Sequence, residues 1–291
     1  MFCYTELMRP RNLYLKPTAD LYEEYVQNGL RYRKVAKALV NVAESIKGQT
    51  VIDLGCGTGI LTRMLAERVG VSGHVIGVDS STDMLASARR TTSATNVAFI
   101  HSPAEAVDQV IHQPVDALFS SAAFWQFQRE PTLAALAKII AGDGMLYFNL
   151  SAGFFNFKTS GLAEPSDEDR PYKQHDILAK WARLAHERYP NREFPPKASQ
   201  PRSPAPQNLN QLTHQLDQFG FKLQTATPLR FEIPRDDEYH WLKIPQWTDR
   251  SLAPLSHAER TTILDEIFTD IPAATTFLAR WIVISAKAKL N

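Results

Sequence analysis

A chain of 291 residues can bury a substantial core, and its length alone leaves open one α/β domain with insertions or two smaller domains. Hydrophobic residues at 44% and charged residues at 22% are ordinary globular values, which exclude a disordered or fibrous chain. The 32 basic and 31 acidic residues leave a net charge of +1, without the basic excess that neutralising many phosphates needs, so nucleic acid is not an expected partner.

Met1 to Arg11 has no long apolar run behind a basic head, and the apolar stretches near the C-terminus are interrupted by Arg280 and Lys287. Neither a secretion signal nor a membrane partner is expected. Cys3 and Cys56, one near the terminus and one in a glycine turn, are poorly placed for a stabilising disulfide, so a reducing cytoplasm is the expected location.

In chain order, Leu21, Tyr22, Tyr25, Val26, Leu30, Val35, Leu39 and Val42 recur at helical spacing, predicting helix over 19–47, divided at Gly29. Five apolar runs follow: Val51 to Leu54, Val75 to Val78, Val97 to Ile100, Ala117 to Phe119, and Met145 to Leu150. Such runs suit strands covered on both faces. Between the first two, Ile60, Leu61, Met64 and Leu65 make a helical stripe. After the second, Ser80 and Asp83 have the spacing of a helix start, with Met84, Leu85 and Ala88 on the buried side. Pro131 is placed to open a further helix at its first position, before Gly142-Asp143-Gly144 turns the chain into the fifth strand. The alternation of strand and helix predicts a parallel sheet with right-handed crossovers.

Beyond Leu150 the rhythm breaks. Phe154 to Pro206 is proline-rich but encloses a predicted helix from His175 to Tyr189, and reads as an ordered insertion. The pattern resumes with a helix from Leu209 to Phe219, a strand from Phe221 to Ala226, and a last strand from Trp281 to Ala286. A second insertion, Pro234 to Thr276, carries Trp241, Trp247 and a helix near Ala258 to Phe268, and its Asp236-Asp237-Glu238 run reads as a solvated charge cluster. The expected organisation is a helical cap at 1–49, an α/β core at 50–150, a lid insertion at 151–206, core again at 207–233, a second lid at 234–276 and a last strand at 277–291.

The most informative run is Val51-Ile52-Asp53-Leu54-Gly55-Cys56-Gly57-Thr58-Gly59, a buried strand entering a turn and then a helix. Glycines suit a turn that needs positive φ and close approach of a ligand to the backbone. A dinucleotide fingerprint would place Gly or Ala where Ile60 stands, and a phosphate-binding loop would follow its last glycine with Lys and Ser or Thr, where this chain has Ile60 and Leu61.

The remaining pattern resembles motif I of the class I S-adenosylmethionine-dependent methyltransferases, at Asp53 to Gly59. The resemblance covers about Thr50 to Leu150 strongly and the final strands loosely. It implies a Rossmann-like, doubly wound, mostly parallel seven-stranded sheet with an antiparallel last strand and helical lid insertions. It also implies S-adenosylmethionine as cofactor, whose lack of phosphates agrees with the absence of a lysine beside the turn.

Asp79 ends the second strand about 20 residues after the turn, where a carboxylate can accept hydrogen bonds from both ribose hydroxyls, or can cap the next helix. His101-Ser102-Pro103-Ala104-Glu105 resembles a family segment reading Gly-Asp-Ala-Glu, with Ser102 and Pro103 replacing Gly and Asp. The adenine contact then falls to backbone of Pro103 and Ala104, and Glu105 is either a ligand contact or a helix-start charge. Asp116 to Trp125 resembles the family's motif IV, whose strand end, Ser120 and Ser121, should face the methyl group. The Asn/Asp-Pro-Pro-Tyr/Phe sequence of nucleic-acid amino-methyltransferases is missing there. Phe124 and Trp125 either line the sulfonium site, through cation–π attraction of about 0.5–2 kcal/mol, or pack in the core. The helix with Tyr14, Tyr22 and Tyr25 resembles the family's N-terminal cap over the cofactor; Tyr22, Cys56, Thr58, Ser80 and Met84 complete the implied binding set.

A sulfonium methyl is already activated, so a base is needed only for a protonated nucleophile. Candidates are Tyr172, His175 and His240, with His186, Tyr189 and Tyr239 beside them; His101 and His112 read as structural. No His, Cys and carboxylate spacing suggests a metal. Phe154, Phe155, Trp181, Trp241 and Trp247 hint at a partly apolar substrate. The expected activity is methyl transfer to O, N or C of a small molecule. The alternatives are an NAD(P)-dependent oxidoreductase and a protein that binds S-adenosylmethionine without transferring methyl. The acceptor and the oligomeric state do not follow from the sequence.

Overall fold

The computed structural model describes residues 16–162, 170–194, 208–245 and 252–289. Cys3, Tyr14, Trp247 and part of the proline-rich stretch lie outside the described residues.

Two helices, α1 (Lys16–Asn28) and α2 (Arg31–Val42), open the described chain, divided at Gly29 as the spacing predicts. Then follow β1 (Thr50–Leu54), α3 (Ile60–Val69), β2 (His74–Asp79), α4 (Thr82–Thr91), β3 (Val97–His101), β4 (Val115–Ser120), α5 (Arg129–Ile139) and β5 (Ile140–Ser151). Next come α6 (Gln174–Arg188), α7 (Leu209–Gln218) and β6 (Phe221–Pro234). Helices α8 (Arg235–Leu242) and α9 (His257–Thr269) separate β6 from β7 (Thr276–Ala288), which closes the sheet.

The seven strands lie in the order β3-β2-β1-β4-β5-β7-β6, with β7 antiparallel to both neighbours and the other pairs parallel. The order reverses between β1 and β4, which opens a crevice at the carboxyl ends of these strands. Side chains alternate across the sheet. Ile52, Leu118 and Phe148 pack with Leu133 and Leu136 of α5 and Leu212 and Leu216 of α7. Val51, Phe119 and Tyr147 pack on the other face with Leu39 of α2 and Leu61 and Leu65 of α3.

A third apolar cluster unites segments far apart in sequence: Tyr25 and Tyr32 from the first two helices, Ile177 and Trp181 from α6, Trp241 and Leu242 from α8, and Ile263 and Leu264 from α9. Its floor is the far end of the β6–β7 ribbon, where Leu229 to Pro234 pair with Thr276 to Trp281.

Several boundaries differ from the sequence reading. Helix α4 is capped by Ser81, whose hydroxyl accepts from Met84 N at 3.2 Å, one residue later than Ser80. Pro131 is the third residue of α5, which opens at Arg129. Strand β5 starts at Ile140, with an irregular register between Val115 and Ala117 of its partner. Strands β6 and β7 outrun their apolar cores because their extensions alternate in burial; Pro228 is accommodated because β6 is the sheet edge. The Asp236-Asp237-Glu238 run is the first turn of α8, where acidic groups suit the helix dipole, and Glu238 is fully buried. Among the described residues no helix is long and apolar enough to cross a membrane.

Candidate functional site

Strand β1 delivers the glycine turn to the reversal point. Gly55, Gly57 and Gly59 have φ of +71°, +54° and +86°, a region that side chains disfavour. The amides of Gly55 and Cys56 both donate to Val78 O, at 2.8 and 3.0 Å, tying the turn to the end of β2. A Cβ on Gly55 would lie 2.6 Å from Ala123 Cβ, whereas one on Gly57 would meet no protein atom nearer than the Tyr22 ring at 3.9 Å. Gly57 is thus bare toward a pocket, and its neighbours Gly55, Cys56 and Thr58 line the same space. Asp53, Ile60 and Leu61 also line it, Ser121 contributes from the residue after β4, and Tyr22 and Tyr32 form its cover.

Asp79 ends β2 partly buried, its carboxylate accepting from Gly57 N and Ser81 N at 2.8 Å each. Burial raises its pKa from the ordinary carboxylate value. Asp53 is completely buried and accepts from the Thr62 hydroxyl at 2.6 Å. Burial pushes it up to about 7, against the pull of the Thr62 hydrogen bond. Because the fold raises this pKa, the associated stability is complete below the ordinary value of 3.8 and is lost as pH rises toward about 7. Asp53→Asn is therefore expected to gain up to roughly 4 kcal/mol relative to the parent between pH 4 and pH 8. Urea unfolding of both proteins at the two pH values measures it, and a constant difference would contradict it.

At the site the buried Thr58 Oγ1 has no hydrogen-bond partner in the protein, and Ser120 Oγ, buried at the end of β4 outside the lining, has none either. Bare Gly57, the unpartnered Thr58 hydroxyl and the adjacent carboxylates form a cradle that fits a cationic nucleoside carrying sugar hydroxyls and an amino-acid tail.

The cover is held down by polar contacts. Arg63 of α3 donates through Nη1 to Thr58 O and Thr91 Oγ1, each at 2.8 Å, and pairs with the buried Glu23 of α1 at 3.7 Å. Tyr22 stacks on Tyr32 with centroids 5.3 Å apart, and Tyr32 Oη accepts from Trp241 Nε1 of α8 at 3.0 Å.

The remaining candidates are placed as follows. Ser80 is exposed, and Met84 is buried in α4. The Ser102 amide donates to Asp79 O and its hydroxyl to Pro103 O, so Ser102, Pro103 and Ala104 sit beside the carboxylate's strand end. Glu105, in the first turn of the short helix Ala104–Gln109, accepts from Gln128 N at 2.7 Å just before α5. Phe124 packs in the core, stacked on Phe148 at 4.0 Å, and Trp125 stacks on Phe154 at 4.2 Å. Neither ring lines the pocket, and both belong to the short helical turn Phe124–Gln126.

The six base candidates are also absent from its lining. His175 is exposed with Asp176 at 3.0 Å, Tyr172 Oη donates to Asp270 O, His186 lies against Phe194, and Tyr189 packs against the third cluster. His240 is exposed beside Tyr239, whose hydroxyl donates to Asp265 and is pushed up to about 12, chiefly by burial. His101 is exposed with Nε2 3.0 Å from Ser80 O. Phe155, Trp181 and Trp241 are buried packing residues. Among the described residues no group of three or more His, Cys, Asp and Glu could hold a metal ion.

Sequence reasoning missed Tyr32, Ile60 and Leu61 in the lining. Tyr32 follows Tyr22 and Tyr25 along one aromatic stripe, the signal that could have found it.

Residues 51–144 match the family described as a methyltransferase domain. This stretch, which holds the glycine turn and Asp79, is a methyltransferase domain by that match. A 2-phytyl-1,4-naphtoquinone methyltransferase of Thermosynechococcus vestitus is 41% identical over 76 residues, which is 26% of this chain and 33% of that one. A malonyl-[acyl-carrier protein] O-methyltransferase of Acetivibrio thermocellus is 28% identical over 162 residues, 51% of this chain and 56% of that one. The chain thus spans about a third to about half of these relatives' length. Among solved structures, the YcgJ protein of Bacillus subtilis superimposes with a TM-score of 0.54 at 14% identity, covering 89% of this chain and 99% of that one, a likeness of fold.

Proposed function

We propose that this protein moves the methyl group of S-adenosylmethionine to O, N or C of a small-molecule acceptor by in-line displacement. The bare face of Gly57, set between Asp79 and the Tyr22–Tyr32 cover, carries this reading. The cofactor supplies a methyl group already activated on a sulfonium.

In this reading Asp79 grips the two ribose hydroxyls while its bonds to Gly57 N and Ser81 N hold the carboxylate still. The glycine turn lets the main chain lie against the cofactor, and the Thr58 hydroxyl finds its partner there. Pro103 and Ala104 border the adenine. Tyr22 and Tyr32 exclude water and present ring faces to the cation, and Asp53 in its ionised form adds attraction. Displacement then requires mainly alignment of the acceptor with the carbon–sulfur bond.

The relatives are named for a naphthoquinone and for O-methylation of a protein-bound malonyl group, which supports acceptors of small-molecule character without fixing the atom. A reducing cytoplasm suits the buried, free Cys56.

Titration calorimetry with S-adenosylmethionine and NAD tests the first requirement, and isotopically labelled donor incubated with a metabolite extract tests the second. The expected result is binding of S-adenosylmethionine and a labelled small product; tighter binding of NAD would overturn the reading. Asp79→Ala should weaken S-adenosylmethionine by about 10- to 100-fold with the fold intact, since a hydrogen bond to a charged group contributes roughly 1.5–3 kcal/mol.

A further inference from the structure

Among the described residues, Ala122 is the only non-glycine with positive φ, at +57°. It sits just past β4, beside the pocket, in a region L-residues avoid unless surrounding contacts impose it. Both of its backbone polar groups are held by side chains. Its N–H donates to Asn149 Oδ1 at 2.8 Å, and its carbonyl accepts from Trp125 Nε1 at 3.0 Å.

Asn149 lies on β5 with no exposed surface, and its amide orientation is forced. A backbone N–H can only donate, so the amide oxygen must face Ala122. Nδ2 therefore faces Ser121 Oγ, at 3.3 Å, and can only donate to it. Ser121 Oγ accepts this bond, which leaves its own hydrogen directed elsewhere, and Ser121 lines the pocket. The buried amide thus fixes Ser121 as a hydrogen-bond donor.

The topology indicates the group that receives this bond. Strand β1 lies between β2, which ends in Asp79, and β4, which leads to Ser121. With the sugar at Asp79, the amino-acid half of the cofactor extends across the glycine turn toward β4. That half carries a carboxylate, the strongest acceptor in the molecule.

On the basis of the function proposed above, we infer that Asn149 is a positioning residue. It stabilises the strained turn at Ala122 and sets the Ser121 hydroxyl to donate to the carboxylate of S-adenosylmethionine.

The test compares two ligands by calorimetry on the full chain: S-adenosylmethionine, and methylthioadenosine, which keeps the nucleoside and sulfur but lacks the amino acid. Ser121→Ala should weaken S-adenosylmethionine on the order of tenfold, leave methylthioadenosine unchanged and leave the melting temperature unchanged. Asn149→Ala should show the same ligand-selective loss together with a lower melting temperature, and the double variant should bind no more weakly than Asn149→Ala. Should Asn149→Ala not fold, Asn149→Ser replaces it under the same expectations.

Unchanged S-adenosylmethionine affinity in Ser121→Ala, equal losses for both ligands, or losses that multiply in the double variant would each overturn the proposal. A parent protein that binds no S-adenosylmethionine would instead overturn the function on which it rests.

Discussion

Glu238→Ala is expected to lower the unfolding free energy by about 3–5 kcal/mol, because it strands a buried guanidinium. Arg31 and Glu238 pair with only 9% and 1% of their side chains exposed. Gln174 Nε2 gives Glu238 a further bond at 2.9 Å, and Arg31 lies over the Trp241 ring at 4.1 Å. Burial works against the Arg31 charge, but attraction to Glu238 overcomes it, so Arg31 keeps its proton. Beside the pair, Asp237 accepts from Leu30 N at 2.7 Å and from Tyr25 Oη at 3.1 Å, closing the break between α1 and α2.

The pair therefore joins α2 to α8 and, through Gln174, to α6, and its loss should also loosen Tyr32, held by Trp241 one turn along α8. Denaturant unfolding of Glu238→Ala, of Glu238→Gln and of an Arg31→Met/Glu238→Leu double variant separates the contributions. The glutamine should cost less than the alanine because it retains hydrogen-bonding atoms. The apolar pair should recover most of the loss, since no charge remains buried without a partner. An exposed pair such as Lys180–Asp270, with side chains 38% and 69% exposed, sets the contrast at no more than about 1 kcal/mol. An alanine variant as stable as one of Lys180 would show that water already reaches Arg31.

The extent to which the sequence was legible followed from the range of the interactions involved. The β1 turn was readable because its requirements are local: positive φ at three glycines and a carboxylate at the next strand end. The parallel strands β1, β2, β4 and β5 were readable because both of their faces are covered and their apolar runs are continuous, whereas β3, at the sheet edge, was readable from its apolar run alone. The long β6–β7 ribbon was not, because it alternates buried with exposed residues and its partner lies beyond an insertion. Glu238 was misread for the same reason: a carboxylate among acidic neighbours resembles a solvated run until a partner 207 residues away is known. Phe124 and Trp125 left two roles open in the sequence, and in the fold their rings stack on Phe148 and Phe154, contacts that neither sequence neighbour announces. Asn149 gave no signal at all, since its bond goes to the backbone of Ala122, whose positive φ appears only in the fold.

Alanine at Gly57 and at Gly55 should separate binding from folding, although the two changes are chemically identical and two residues apart. Both positions carry positive φ, +54° and +71°, so each substitution brings a backbone cost of about 1–2 kcal/mol. At Gly57 that cost should be nearly the whole effect on stability, because the nearest protein atom to the added Cβ is 3.9 Å away. The methyl group instead occupies the space against which the cofactor would lie, so S-adenosylmethionine affinity should fall by about 100-fold or more, a loss near 3 kcal/mol. At Gly55 the added Cβ meets Ala123 Cβ at 2.6 Å and the Phe127 ring at 3.0 Å, which forces the segment after β4 to move. Overpacking of this kind costs a further 1–3 kcal/mol or so, and the Gly55 variant should therefore melt well below the Gly57 variant. Calorimetric titration paired with thermal unfolding reads both quantities. If Gly57→Ala bound S-adenosylmethionine as tightly as the parent, the bare face of that glycine would not be where the cofactor lies, and the roles proposed for Asp79 and Ser121 would fall with it.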